Sequence, residues 1–178
     1  TFQKMEKKSD PTPFHPSNFL VSVGFRYWQE GHYEGLHERY LCFNHRSCKP
    51  TPDAQAILQG VLGQTACLIG HNIKFDLEWL LECGFKYDGL LLDTMLIEYV
   101  LARGQKIPLD LDSTLARYGL EGKDKTVQEY LKAGVGFDQM PWEIVEKYGL
   151  RDIRGTEELF LKQCERLNCK PKDMINEF

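Results

Sequence analysis

The sequence predicts an α/β domain with a mixed sheet and helices on both faces. Three observations carry that prediction. Two strand-like segments, FLVSVGFRYW (Phe19–Trp28) and ERYLCFN (Glu38–Asn44), follow one another early in the chain. Two short apolar runs, Ala66–Gly70 and Leu90–Leu92, each lead directly into a stretch with helical spacing. The C-terminal part is helical in pattern throughout.

The elements follow in order. Residues 1–17 hold three prolines, Lys7-Lys8 and Ser9-Asp10, and read as a solvated loop. Phe19–Trp28 is rich in β-branched and aromatic residues. Gln29-Glu30-Gly31 supplies a turn, and Glu38–Asn44 returns as an antiparallel partner. Lys49-Pro50-Thr51-Pro52-Asp53 is a break. Ala54–Leu62 has helical spacing, with Ala54, Ile57, Leu58 and Val61 on one stripe. Ala66–Gly70 is the size of a buried strand, and Lys74–Cys83 is a helix for which Gly84 is a suitable stop. Leu90–Leu92 is a further short strand, and Thr94–Leu101 a helix ending near Gly104. Helices over Leu111–Tyr118, Val127–Lys132 and Pro141 to about Leu167 complete the chain. Pro141 suits a helix start. Gly149 costs roughly 1 kcal/mol of helix propensity against alanine, so its presence inside that last helix points to close backbone approach.

Composition narrows the function. The 178 residues are 42% hydrophobic and 27% charged, which suits one globular domain with a substantial core. No apolar run approaches the roughly twenty residues of a membrane span, so no membrane partner is expected. The six cysteines include no C-x-x-C pair; scattered in this way they fit a reducing cytosol, while their even number also allows disulfides. The net charge of −4 lacks the basic balance of a protein that grips duplex DNA along its length. A nucleic-acid ligand would be held over a few nucleotides, with cations offsetting the repulsion.

Two motifs carry chemistry. HNIKFD (His71–Asp76) follows a buried strand, where ligands sit in α/β sheets. If the helix starts at Asn72, then Asn72 and Asp76 share a face with Phe75 beside them. The same spacing also suits an N-cap asparagine and a first-turn acid favoured by the helix dipole. In YGLRD (Tyr148–Asp152), a phenol and a carboxylate lie four apart on one helix face. They either orient a water on a metal or make an ordinary helix contact.

Together, Asn-x-x-Phe-Asp after a strand and Tyr-x-x-x-Asp on a C-terminal helix resemble motifs II and III of the DEDDy 3′–5′ exonucleases. The segments LDTMLIEYVL (Leu92–Leu101) and LDSTLA (Leu111–Ala116) resemble the proofreading domain of family A (DNA polymerase I-like) polymerases, phage types included. The resemblance runs from about Phe19 to Leu167. It implies a ribonuclease H-like fold, a mixed central β-sheet flanked by α-helices. It implies hydrolysis of the last phosphodiester at a single-stranded or frayed DNA 3′ end, with two divalent ions, Mg²⁺ or Mn²⁺. Asp76 and Asp152 would be metal ligands, Tyr148 would position the water, and Asn72 and Phe75 would contact substrate. His71, beside Asn72, either touches a substrate phosphate or packs at the strand end. Residues 1–170 would form the exonuclease domain. Residues 171–178 would begin a linker to a polymerase domain of the same parent chain, in a bacterial or phage-infected cytoplasm.

The resemblance also implies a motif I, Asp-x-Glu on a first strand. Asp76-Leu77-Glu78 matches as a string, but on a helix the two acids diverge by about 200°. Asp110-Leu111-Asp112 lacks the glutamate, and only Glu6 and Asp10 precede Phe19. On this reading the chain starts just after motif I, with Thr1-Phe2 as the tail of that strand. One alternative is an inactive exonuclease-like scaffold or DNA-end clamp without motif I; the presence of Tyr148 and Asp152 argues against it. Another is a DEDDy exoribonuclease. His15, His32, His37 and His45 show no metal-ligand spacing, and Trp28, Trp79 and Trp142 read as packing residues.

Overall fold

The computed structural model describes residues 2–3, 12–29, 32–120 and 125–177. Lys7-Lys8, Ser9-Asp10, Glu6 and the centre of the predicted turn, Glu30-Gly31, lie outside the described residues.

The N-terminal half is β-rich. Strands β1 (Phe2–Gln3) and β2 (Phe19–Leu20) pair antiparallel. Strands β3 (Ser22–Gln29) and β4 (His32–Cys42) form an antiparallel hairpin with an irregularity between Tyr27 and Gln29. The single strand predicted over Phe19–Trp28 is therefore interrupted at Val21. That residue is fully buried, and its carbonyl turns to accept from the N–H groups of Phe43 and Asn44 at 2.9 and 3.1 Å. Strand β4 begins well before the predicted Glu38, because pairing with β3 extends to Gln29↔His32 and overrides the weak local propensity of the glycine-containing stretch.

The next segment alternates. Helix α1 (Ala54–Leu62) buries Ala54, Leu58 and Leu62, and β5 (Cys67–Gly70) leads into α2 (Ile73–Glu82). Strand β6 (Leu90–Asp93) pairs parallel with β5 and leads into α3 (Thr94–Leu101). Gly84 closes α2 with φ +84°, and the Phe85 N–H returns to the Leu80 carbonyl at 3.0 Å, as the predicted glycine stop requires. Helices α4 (Leu111–Arg117), α5 (Lys125–Lys132), α6 (Trp142–Leu167) and α7 (Pro171–Glu177) follow. The stretch read as the start of a linker is thus helical, and Met174 anchors it in the core beside Phe160 and Cys164.

The α/β class holds, but the strands do not join into the single mixed sheet expected. Among the described residues they form three two-stranded sheets, and no described strand carries a hydrogen-bond ladder between the β3/β4 hairpin and the parallel β5/β6 pair. Helix α6, 26 residues long, ties them together instead, packing on β3, β4 and β5 and on α3, α4, α5 and α7. Three apolar clusters form around these contacts. One lies between the hairpin, α1 and α2, one between β6, α3, α6 and α7, and one between α5 and the start of α6. The three tryptophans serve packing. Trp79 is 1% exposed, Trp28 stacks on Phe160 while donating to Glu157, and Trp142 meets Tyr40 and His45. All six cysteines are free thiols. Among the described residues, no helix is long and apolar enough to cross a membrane.

Candidate active site

The parallel strands β5 and β6 end side by side, with Gly70 in register with Asp93. Both strands turn directly into helices there, so two helix starts and their side chains share one edge of the sheet. Asp93 organises that edge. Its Oδ1 accepts from the Met95 N–H at 2.8 Å, which caps α3, and from the Asn72 N–H at 2.9 Å, which fixes the start of α2.

This second bond explains the conformation of Asn72. The residue takes a left-handed backbone, φ 60° and ψ 46°, one that asparagine tolerates better than most residues. Asn72 is the N-cap residue, but its side chain makes no cap bond and is exposed. The helix begins at Ile73, so the one-face relation expected for Asn72 and Asp76 does not follow from helical spacing. Phe75 and Asp76 lie in the first turn, and both are half-buried. Burial, with the neighbouring Asp93 carboxylate adding to it, pushes the Asp76 carboxyl up to about 6.

His71 is engaged within the protein at both ring nitrogens. Nε2 lies 2.7 Å from the Leu109 carbonyl and Nδ1 lies 2.9 Å from the Thr94 hydroxyl. Burial holds the ring below the usual histidine range. A neutral ring in this setting donates from Nε2 to the Leu109 carbonyl and presents Nδ1 as an acceptor to the Thr94 hydroxyl, whose one proton is shared with the Gly70 carbonyl at 3.2 Å. It thereby links the end of β5 to the loop before α4.

Helix α6 supplies the second group. Tyr148 and Asp152 are hydrogen-bonded, with the phenol donating to the carboxylate. Burial first, then the Asp152 charge, raises Tyr148 well above the usual phenol range, so it stays an O–H donor at neutral pH. Burial also raises Asp152, against the pull of the Tyr148 hydrogen bond and of Arg151. Arg151 Nη2 stands 3.3 Å from Asp152 Oδ1 and 3.5 Å from Asp112 Oδ1 on α4. Its guanidinium carbon is 5.6 Å from the centroid of the Tyr148 ring, whose other neighbour is Phe137.

The close approach expected at Gly149 is present. The Tyr40 ring lies where a Cβ at Gly149 would stand, and the Tyr40 hydroxyl donates to the Val145 carbonyl at 3.3 Å. An ion-pair network steadies the same helix. Glu38 of β4 binds Arg26 and Arg154, and Arg26 reaches Glu157. Tyr148 and Asp152 therefore sit on a helix clamped to the hairpin on both sides of them.

A family model for 3′–5′ exonucleases of the DNA polymerase A type matches residues 31–166. The chain belongs to this family. The matched span covers β4 through nearly all of α6, and so contains both groups just described.

Exonucleases of this family generally use divalent metal ions. The residues present fit such an ion in donor type. Asp76 and Asp152 offer hard carboxylate oxygens, each half-buried where burial opposes its negative charge, so an adjacent cation would be favourable. Among the described residues, no three histidine, cysteine or acidic side chains gather tightly enough to hold an ion by themselves. The structure brings Tyr148 and Asp152 together on α6, and places Asn72 and Asp76 beside Asp93, with Phe75 in the same first turn of α2. Helices α2 and α6 both pack on β5, which is the element the two groups share.

Sequence reasoning did not single out Asp93, Asp112 or Arg151. Asp93 carries the signature of an N-cap, an acid between an apolar run and a helix, and that signal was available. Arg151 carries none, since neighbouring helix positions point in different directions and only its contacts reveal it.

Proposed function

We propose that this exonuclease acts on DNA, removing nucleotides from a single-stranded or frayed 3′ end by two-metal-ion hydrolysis, as the proofreading part of a DNA polymerase. The observation that carries this reading is the hydrogen-bonded pair of Tyr148 and Asp152, one helical turn apart within the span matched by the exonuclease family. In the proposal, Asp76 and Asp152 hold divalent ions, Mg²⁺ or Mn²⁺. Such ions would supply charge stabilisation for the attacking and leaving oxygens. Tyr148 orients the water through its hydroxyl. The exposed Asn72 amide and the Phe75 ring, at the mouth of α2, contact the terminal nucleotides. His71 assists that contact by fixing the backbone on which Asn72 stands. The acidic balance of the chain suits a site that holds a few nucleotides through ions rather than a long duplex through basic residues.

The test is Mg²⁺-dependent shortening of a 5′-labelled single-stranded DNA oligonucleotide by the full chain, with the matching RNA alongside. Stepwise loss from the 3′ end of DNA is expected. Asp152→Ala should reduce it by roughly three orders of magnitude, about 4 kcal/mol of barrier, while circular dichroism stays unchanged. Wild-type rates in that variant would overturn the assignment, and a preference for RNA would move the substrate class.

A further inference from the structure

Arg151 is placed as if to manage a charge. Its Nη2 lies between both acids, 3.3 Å from Asp152 Oδ1 and 3.5 Å from Asp112 Oδ1. The side chain is 20% exposed, with Asp112 at 23% and Asp152 at 29%, so water screens the three charges only in part. The two acids come from different helices, α4 and α6, and the guanidinium rests between them over the Tyr148 ring. A guanidinium cannot shed its proton in this setting, so its charge can leave Asp152 only by movement.

We propose that Arg151 is a positioning residue for Asp152. It is a tethered cation that neutralises this carboxylate when no divalent ion is bound and swings onto Asp112 when one binds. This inference rests on reading Asp152 as a metal ligand. It gives Asp112 a role that the ligand set does not, that of a receiving anion which makes the swing inexpensive.

Two substitutions should act in opposite directions on ion binding, which a merely structural role would not produce. The probe is Mn²⁺ alone, without DNA, titrated into the full chain and followed by the paramagnetic resonance signal of the free ion. Arg151→Gln should bind Mn²⁺ roughly tenfold tighter, because it removes a positive charge from beside the ligand carboxylate. Asp112→Asn should bind it several-fold more weakly, and that loss should shrink when combined with Arg151→Gln, as coupled neighbours require. Asp152→Asn is the control for the underlying reading. If it binds Mn²⁺ like the wild type, Asp152 is no ligand and both ideas fall. If it abolishes binding while Arg151→Gln leaves binding unchanged or weaker, only the role of Arg151 falls. Should Arg151→Gln fail to fold, Asp112→Asn decides alone, and unchanged binding there overturns the swing.

Discussion

The ring of Tyr40 occupies the space that a side chain at Gly149 would need. The same ring also lies against Gly24, where a Cβ would stand 2.6 Å from Tyr40 Cδ2. The Tyr40 hydroxyl completes the clamp, lying 3.0 Å from Ser22 Oγ and donating to the Val145 carbonyl. A tyrosine on the hairpin and a glycine on α6 thus set how closely the helix carrying Tyr148 and Asp152 approaches the strands.

Gly149→Ala should therefore destabilise the chain, even though alanine favours a helix by about 1 kcal/mol over glycine. Overpacking a tight contact costs about 1–3 kcal/mol, and the Tyr40 ring is packed against both glycines and held at its hydroxyl. Gly60→Ala on α1 is the internal comparison, since a Cβ there meets nothing within 4 Å. It should stabilise by about 0.5–1 kcal/mol. Urea midpoints for the two variants should move in opposite directions. A stabilised Gly149→Ala would mean that Tyr40 yields freely.

These contacts mark the boundary of what the sequence discloses. The order of elements, the Gly84 stop, the helix from Pro141 and the need for space at Gly149 all rest on local preferences, which a sequence states directly. Tyr148 and Asp152 were legible for the same reason, since helical spacing alone puts them on one face. Asn72 was half legible. Its place at the helix start was clear, but the αL turn was not, because it depends on a bond to Asp93 from another strand. The division of the described strands into three pairs and the reach of Arg151 from α6 to Asp112 on α4 are long-range outcomes that no local pattern encodes.

Glu38 should confer an acid-dependent part of the stability. Its hydrogen bonds to Arg154 and Arg26 draw the carboxyl from its ordinary 4.5 down to about 2. A carboxyl lowered by folding contributes stability that is present above its unfolded value and lost as pH falls through its folded value. The relevant window is thus pH 4.5 down to about 2. Glu38→Gln should melt at a lower temperature than the wild type at pH 6, and the gap should close across that window. A gap that stays constant at low pH would show that the Glu38 charge contributes nothing.

Glu98 should be among the costliest residues to remove. It lies on α3 at 2% exposure and accepts from the Tyr118 hydroxyl at 2.9 Å and from Gln163 at 3.3 Å. It also pairs with Arg117 at 3.4 Å, so one carboxylate joins α3 to α4 and α6. Removing one partner of a buried pair costs about 3–5 kcal/mol, because the other charge is left uncompensated. Glu98→Ala should lose about that much in chemical denaturation, and Glu98→Gln clearly less, since the amide oxygen still accepts. Equal losses in the two would place the cost in packing rather than charge.

Asp93 should matter to both junctions at once. Asp93→Ala removes the cap on α3 and the acceptor that holds Asn72 in its left-handed turn. The stability cost should be about 1–2 kcal/mol, the upper range for a helix cap. Asp93→Asn keeps an acceptor and should recover most of it. Hydrogen exchange at the Asn72 and Met95 amides should quicken together in the alanine variant. Faster exchange at Met95 alone would separate the two junctions.

Tyr148→Phe tests the division of labour on α6. The substitution keeps the ring, and with it the contacts to Phe137 and Arg151, and removes only the hydroxyl that donates to Asp152. Stability should change little, because that hydroxyl bonds a half-buried group that solvent can partly serve. If the hydroxyl orients the attacking water, DNA hydrolysis should slow by about 10²-fold, the low end of what a positioned proton-transfer or water-orienting group contributes. Mn²⁺ affinity should fall far less than in Asp152→Ala, because the carboxylate charge that attracts the ion remains. Comparing this split with Asp152→Ala, where rate and affinity should fall together, separates orienting from ligation. If Tyr148→Phe weakens ion binding as severely as Asp152→Ala, the tyrosine belongs to the ion site itself and the water-orienting role is wrong.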